Sequence, residues 1–367
     1  MDSDVILVIV VATALAFDFT NGFHDTANAV ATAISTRALP PRVAVGMSAV
    51  LNFAGAFISL AVAATVAKGI VEASLISTTI VFAGLVGAIA WNLATWFFGL
   101  PSSSSHALIG GVVGAAFVAQ GADAVKGDGL VQKVLVPALI APFLAFITAA
   151  IAIVVAYRIV GRLRPGPVNR GYRLGQIVSA GLFSLAHGTN DAQKTMGIIA
   201  LALVAHGDLS AANPDPPTWV VVSAASAIAL GTYVGGWRII RTLGSRIIKM
   251  DPAQGFVAQG AGASVVLAAS HFGYPLSTTH VASGAVMGAG AGKRLSAVRW
   301  GVAGNIVLAW VLTVPGAALV GAATYGVTRI FGTGALGPLV VSVSMLALLA
   351  AIFGRRIAQG RSLTVEG

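Results

Sequence analysis

The sequence predicts an all-α, polytopic membrane protein of about ten to twelve spans, built as two inverted repeats with broken helices and two re-entrant hairpins. Three observations carry that reading: an apolar composition with few charges, apolar runs of membrane length, and motifs that recur in the same order in both halves. Of 367 residues 57% are hydrophobic and 9% charged, and the mean hydropathy is +0.89. Ordinary soluble domains are about 45–50% apolar and about 25% charged, so the solvent for most of this chain is lipid.

A bilayer core about 30 Å thick needs about 20 apolar residues per helix. Residues 43–66, 76–98, 134–157 and 336–353 meet that length. Backbone groups in lipid must be paired internally, which favours helices. The period-two segments of a transmembrane barrel are absent from the sequence. Residues 1–15 lack a basic leader and a convincing cleavage site, and read as the first span. With no cysteine, disulfide frameworks and thiolate chemistry are excluded.

The basic residues behind the net charge of +10 cluster in short connections. Arg158, Arg162, Arg164, Arg170 and Arg173 share one of them, and other basic residues cluster in 238–249, 293–299 and 355–361. Basic loops between apolar runs orient a membrane chain with those loops in the cytoplasm, and this accounts for the charge without a nucleic-acid partner. The acidic N-terminus then lies outside, and 206–218, which has no Lys or Arg, lies outside as well. The division that follows is 1–157 as a first repeat, 158–175 as a basic cytoplasmic connection, 176–354 as a second repeat and 355–367 as a cytoplasmic tail. The location is the inner (plasma) membrane.

Gly99-Leu-Pro-Ser-Ser-Ser-Ser-His106 aligns without a gap on Gly273-Tyr-Pro-Leu-Ser-Thr-Thr-His280, and Gly110 and Gly114 match Gly284 and Gly288. Upstream, Asn21-Gly-Phe-His-Asp25 aligns on His187-Gly-Thr-Asn-Asp191. The loop charges put the first Pro-x-Ser-x-x-His segment toward the cytoplasm and the second toward the outside, which makes the repeats inverted. Paired interrupted segments of that kind place a substrate site near the midplane.

Around Pro101 and Pro275 an apolar stretch is broken by Gly and Pro, followed by three hydroxyl residues and a His. Pro cannot continue a helix interior, whereas Ser or Thr caps a new one. Each segment therefore predicts a helix N-terminus inside the membrane, with free N–H groups, a positive dipole end and the hydroxyls of Ser103, Ser104, Ser105, Ser277, Thr278 and Thr279. Two such termini facing each other cradle a tetrahedral oxyanion. In otherwise apolar runs lie Asp18, Asn21, His24, Asp25 and Asn28, then His187, Asn190, Asp191, Gln193 and Lys194. Ionisable groups there cost at least about 2.5–3.5 kcal/mol each and mark a substrate or ion pathway. The runs exceed one span, which predicts a break at each cluster. Carboxylates beside unwound carbonyls suit hard cations, with Asp25 and Asp191 as candidate metal ligands. Asn52, Asn92 and Asn305 read as interhelical hydrogen-bonding residues. For His106 and His280 a packing role and a functional one are both open.

At Gly22-Phe-His-Asp25-Thr-Ala-Asn28, Gly188-Thr-Asn-Asp191-Ala-Gln-Lys194, Pro101-Ser-Ser-Ser-Ser-His106 and Pro275-Leu-Ser-Thr-Thr-His280, the sequence resembles the inorganic phosphate transporter (Pit) family. It resembles in particular the bacterial low-affinity branch. The resemblance covers nearly the whole chain. It implies phosphate contacts at Ser103, Ser104, Ser105, Ser277, Thr278 and Thr279, and coupling-ion sites at Asp25, Asn28, Asn190 and Asp191. It also implies a homodimer and no cofactor. The family's first motif Asn is His24 here and its last is Lys194. Both replacements can carry a proton, and an ammonium can occupy the place of a bound Na⁺. The expectation is a secondary active transporter importing phosphate, or a metal–phosphate complex, by proton rather than sodium symport.

Other classes are weaker. A serine hydrolase could draw on Ser105, His106 and Asp25, but no Gly-x-Ser-x-Gly elbow occurs and the Ser/His set is duplicated. A sulfate permease or an anion channel shares the hydroxyl-lined helix ends. A proton acceptor at Asp25 or Asp191 favours phosphate over sulfate, since at neutral pH phosphate still has a proton to donate.

Overall fold

The computed structural model describes residues 2–358. In chain order its helices are α1 (Asp2–Ser35), α2 (Pro41–Gly55), α3 (Ala61–Gly69), α4 (Thr78–Phe98) and α5 (Ser104–Gln120). After them come α6 (Gly127–Leu130), α7 (Val136–Val160), α8 (Pro165–His206), α9 (Thr218–Val234) and α10 (Trp237–Arg241). The series ends with α11 (Pro252–His271), α12 (Thr278–Lys293), α13 (Trp300–Ile330) and α14 (Leu336–Ala358). Among the described residues the sole β pairing is an isolated bridge between Val71 and Val125.

Long α1 and α8 are the axis of the molecule. Ile6, Val10, Ala14 and Phe17 of α1 share one apolar core with Met196, Ile199 and Leu203 of α8. Ala27, Val30 and Ala31 share a second core with Phe183 and Ala186. Early α1 thus meets late α8 and the reverse, so the two helices run antiparallel. Their polar clusters fall in the layer between the two cores.

The aligned motifs occupy equivalent elements, and equivalent elements pair alike. Helix α1 packs on α4 and α9 as α8 packs on α11 and α2, and α5 packs on α13 as α12 packs on α7. Helix α7, which follows the first hairpin, therefore embraces the second, while α13 embraces the first. The matched glycines explain how these pairs approach so closely. A Cβ on Gly114 would overlap the Ala318 carbonyl oxygen, and one on Gly288 would overlap that of Phe146.

Each hairpin helix starts on a side-chain cap. Ser77 accepts from the Ile80 N–H, Ser103 from His106 and Ser277 from His280. Asp251 and Gln254 form a reciprocal capping box at the head of α11. The first hairpin turns at Gly99 with φ +66° and the second at Gly273 with φ +72°, a conformation that Gly adopts without a Cβ clash. Two helix–loop–helix hairpins thus stand where the Pro-containing segments predict them.

Two sequence expectations meet a different outcome. The predicted breaks at the polar clusters do not occur, because α1 and α8 continue through them as helices of 34 and 42 residues. The side chains of each cluster find partners on neighbouring elements, so the backbone has no need to unwind. The run 43–66 is divided at residues 56–60 between α2 and α3. The basic connection 158–175 is mostly helical, with only residues 161–164 outside α7 and α8. Its five arginines remain exposed. The expected tail begins as the end of α14, and its remainder, 359–367, lies outside the described residues.

By length and apolarity, four helices among the described residues could cross a membrane, or five if the bent pair of α9 with 237–246 is one span. The larger expected number includes helices that are apolar but shorter, such as α5, or longer but more polar, such as α8. Large apolar side chains on the outer faces of α7 and α13, including Leu139, Phe143, Ile151, Val311 and Leu319, are exposed, as a lipid solvent requires.

Candidate functional site

Both hairpin tips and both polar clusters converge in the layer between the two cores. Every hydroxyl residue singled out in the sequence, together with His24, Asp25, Asn28, Asn190, Asp191 and Lys194, is buried.

Asp25 is the centre of the arrangement. Its Oδ1 lies 2.6 Å from His24 Nδ1 and accepts from the Ser104 hydroxyl at 3.2 Å. Its Oδ2 accepts from Thr278 and Thr279, each at 3.3 Å. The first residues of α5 and α12 thus reach one carboxylate from two sides. By helix geometry their first-turn N–H groups have no intrahelical acceptor, so the carboxylate occupies an anion-binding locus. Three of the six hydroxyls assigned to phosphate, those of Ser104, Thr278 and Thr279, are engaged with Asp25 in this structure. Asn28 adds an amide donated to Thr279 at 3.0 Å and to Thr278 at 3.4 Å.

Lys194 is among the largest fully buried side chains. Its ammonium donates to Ser105 Oγ at 2.5 Å, the Leu276 carbonyl at 2.7 Å and Asp191 Oδ1 at 2.8 Å. Three donors meet three acceptors, drawn from both hairpins and from α8. Ser105 in turn donates to the Leu276 carbonyl at 3.2 Å, so its hydroxyl is held by the lysine and the loop carbonyl. That is no nucleophile–base pair.

His24 and Asn190 occupy matching motif positions and do matching work. His24 Nε2 lies 3.2 Å from Thr95 at the end of α4. Asn190 donates to Ser270 at the end of α11, at 2.8 Å, and to the Tyr274 carbonyl at 3.1 Å. Each ties its long helix to the hairpin of its own half. Asn190 therefore faces the second hairpin, and its Oδ1 has no hydrogen-bond partner.

His187 received no role from the sequence, although it lay in the polar cluster. Its Nδ1 is 3.0 Å from Asn52 Oδ1, and the Asn52 amide nitrogen donates to Thr232 at 2.8 Å. That fixes the amide orientation, so the Nδ1–H donates to Asn52. Nε2 faces Asp191 Oδ2 at 3.7 Å and Asp25 Oδ2 at 3.9 Å, with no partner of its own. Asp25, His187 and Asp191 can each offer a ligand atom within 4.8 Å of the others. A proton or a cation between them is what this constellation accommodates. The signal was available, because His187 aligns with Asn21 and places an ionisable group at membrane depth. Gln193, from the same cluster, instead caps α3 by accepting from Val62 and Ala63. Asn52 behaves as expected, joining helices. His106 meets His280 edge-on at 4.7 Å, and His280 stacks on Trp310 at 4.1 Å.

A helical membrane protein with a buried layer of carboxylates, an ammonium and two facing helix N-termini belongs to the class of solute transporters. Residues 21–168 and 163–321 each match the phosphate transporter family. A probable low-affinity inorganic phosphate transporter of Mycobacterium bovis is 58% identical over 89% of this chain and 78% of its own length. Proteins of the same description from Rhizobium meliloti and Bacillus subtilis are 49% and 44% identical, over 87% and 88% of this chain and 96% of each relative. A solved structure of the sodium-dependent phosphate transporter matches with a TM-score of 0.80 at 26% identity, covering 89% of this chain and 99% of that one. This chain belongs to the phosphate transporter family. It is a multi-pass plasma-membrane protein and a transporter rather than an enzyme.

Proposed function

We propose that the chain imports inorganic phosphate by proton symport, and that Lys194 stands permanently where a sodium-coupled relative would bind a cation. The observation that carries this is the buried ammonium with its three acceptors. A hydroxyl, a loop carbonyl and a carboxylate are the ligand types of a Na⁺ site, and Lys194 already fills the space between them.

Coupling is required on magnitude alone. Each negative charge moved into a negative interior costs about 2.3 kcal/mol per 100 mV, so a phosphate dianion faces roughly twice that. His24 is built to hold a coupling proton. One ring nitrogen lies on Asp25, and the other faces Thr95 Oγ1 at 3.2 Å, whose own hydrogen is donated to the Trp91 carbonyl at 2.9 Å. An imidazolium therefore finds an acceptor on each side. Protonation there weakens the hold of Asp25 on its hydroxyls and frees Ser104, Thr278 and Thr279 for phosphate. Ser103, Ser105 and Ser277 complete the cradle, with Asn28 and Asn190 steadying the hairpin carrying Ser277, Thr278 and Thr279. The triad of Asp25, His187 and Asp191 suits a divalent cation travelling with phosphate as cargo. The homodimer implied by the sequence resemblance belongs to the same proposal.

A second reading is sodium symport, favoured by that same triad and by the name of the solved relative. The double variant His24→Asn/Lys194→Asn restores amides at both motif positions and separates the two. The expected result is phosphate uptake that becomes stimulated by Na⁺ and less dependent on a proton gradient. Uptake that stays sodium-independent and proton-driven would overturn the role given to Lys194.

A further inference from the structure

Asp18 is an acidic side chain of the polar layer that neither the proposed mechanism nor the hairpins use. It lies seven residues before Asp25, two turns along the same face of α1. Its accessible surface is 0%, and neither carboxyl oxygen has a hydrogen-bond partner. Its polar neighbours are Asn21 on α1 and Thr195 on α8, and the charges that reach it are those of Asp191 and Lys194. Asn21 Oδ1 and Thr195 Oγ1 are also without partners, while the Asn21 amide nitrogen is turned to Asp191 Oδ2 at 3.5 Å. Of the other helices against α1 in this half, α4 has no titratable residue and α9 only the exposed Tyr233. Three buried acceptor oxygens, two of Asp18 and one of Asn21, therefore lie beside the Thr195 hydroxyl, with the Asn21 amide nitrogen turned away from them.

A carboxylate left ionised in such a place is among the costliest arrangements a membrane interior can hold. One proton resolves it. The protonated acid donates its O–H to Asn21 Oδ1, and its other oxygen accepts the Thr195 hydroxyl hydrogen, so all four orphaned oxygens enter one network. A metal ion resolves it less well. Hard cations take six or more oxygens, and the nearby carbonyls of α1 and α8 are spent within unbroken helices. Folding symmetry does not demand the acid either. The matching position in the second half is Ser184, which satisfies itself on the Ala180 carbonyl at 2.8 Å.

We propose that Asp18 is a proton-binding site of the transport cycle, protonated in the buried arrangement seen here and deprotonated when the layer opens to the cytoplasm. The proposal rests on the proton-symport reading and adds a carrier to it. A proton from the outer aqueous phase bonds to a carboxylate oxygen, and the same O–H bond breaks on the inner side, with no other bond changed.

The test is simultaneous measurement of labelled phosphate entry and proton entry into proteoliposomes that contain a trapped pH dye. Asp18→Asn mimics the protonated acid. It is expected to retain phosphate exchange while carrying one proton fewer per phosphate, and Asp18→Glu to restore the wild-type ratio. A wild-type ratio in Asp18→Asn overturns the proposal while leaving proton symport standing. A wild-type protein that moves no protons with phosphate overturns symport and Asp18 together. If Asp18→Asn fails to fold, the infrared carbonyl band of a protonated acid serves instead. It is expected in the wild type and shifted in Asp18→Glu, and a spectrum the same in both contradicts the assignment.

Discussion

Lys194 shows how a buried charge can be tolerated when every donor is used. Its ammonium meets three acceptors within 2.8 Å, and removing it would leave Asp191 with the long contacts of Thr278 at 3.4 Å, Asn21 at 3.5 Å and His187 at 3.7 Å. Stripping one partner from a buried ion pair costs about 3–5 kcal/mol. Lys194→Met is therefore expected to lower the thermal midpoint markedly and to abolish transport, with Lys194→Asn destabilised less because its amide still donates to Asp191. Thermal unfolding in detergent checks the order of the two. At this scale the sequence was informative about which polar residues gather in the buried layer and poor on what they contact there. Lys194, Asp25 and the hydroxyls were legible because polar groups in apolar runs stand out. The pairing of Ser105 with Lys194, and the placing of His187 between two carboxylates, depend on contacts between segments far apart in the chain, which no local pattern encodes.

At the scale of elements, the helix starts are set by single side chains. Asp251 accepts from the Gln254 N–H at 3.0 Å, from Tyr157 at 2.5 Å and from Lys293 at 3.1 Å, joining the head of α11 to the ends of α7 and α12. Asp251→Ala is expected to cost about 1–2 kcal/mol in stability while leaving phosphate affinity unchanged, because these contacts lie at the far end of α11 from the hairpin tip. Denaturation and equilibrium binding, measured on the same preparation, separate the two effects. The hairpins themselves were legible, since Gly, Pro and a run of hydroxyls each act on the local backbone. The continuity of α1 and α8 was not. Their polar clusters argued for a break, and the unbroken helices reflect partners supplied by α3, α4, α9 and the two hairpins.

At the scale of the molecule, two apolar cores are separated by a polar layer that the antiparallel α1 and α8 cross from opposite ends. Equivalent helices make equivalent contacts, and each half's hairpin is embraced by the long helix of the other half. The motif repeats made this arrangement readable in outline, whereas the exchange of α7 and α13 between halves could not be read from order along the chain. A change in one hairpin is thereby coupled to the other half, which is what a carrier that opens alternately to the two sides requires. The central claim is that phosphate entry is driven by protons, with Lys194 in place of a coupling sodium ion. The most direct test is labelled phosphate uptake by the wild-type protein in liposomes under an inward proton gradient, with and without Na⁺. Accumulation that needs the proton gradient and ignores Na⁺ is the predicted result, and accumulation that requires Na⁺ would contradict it.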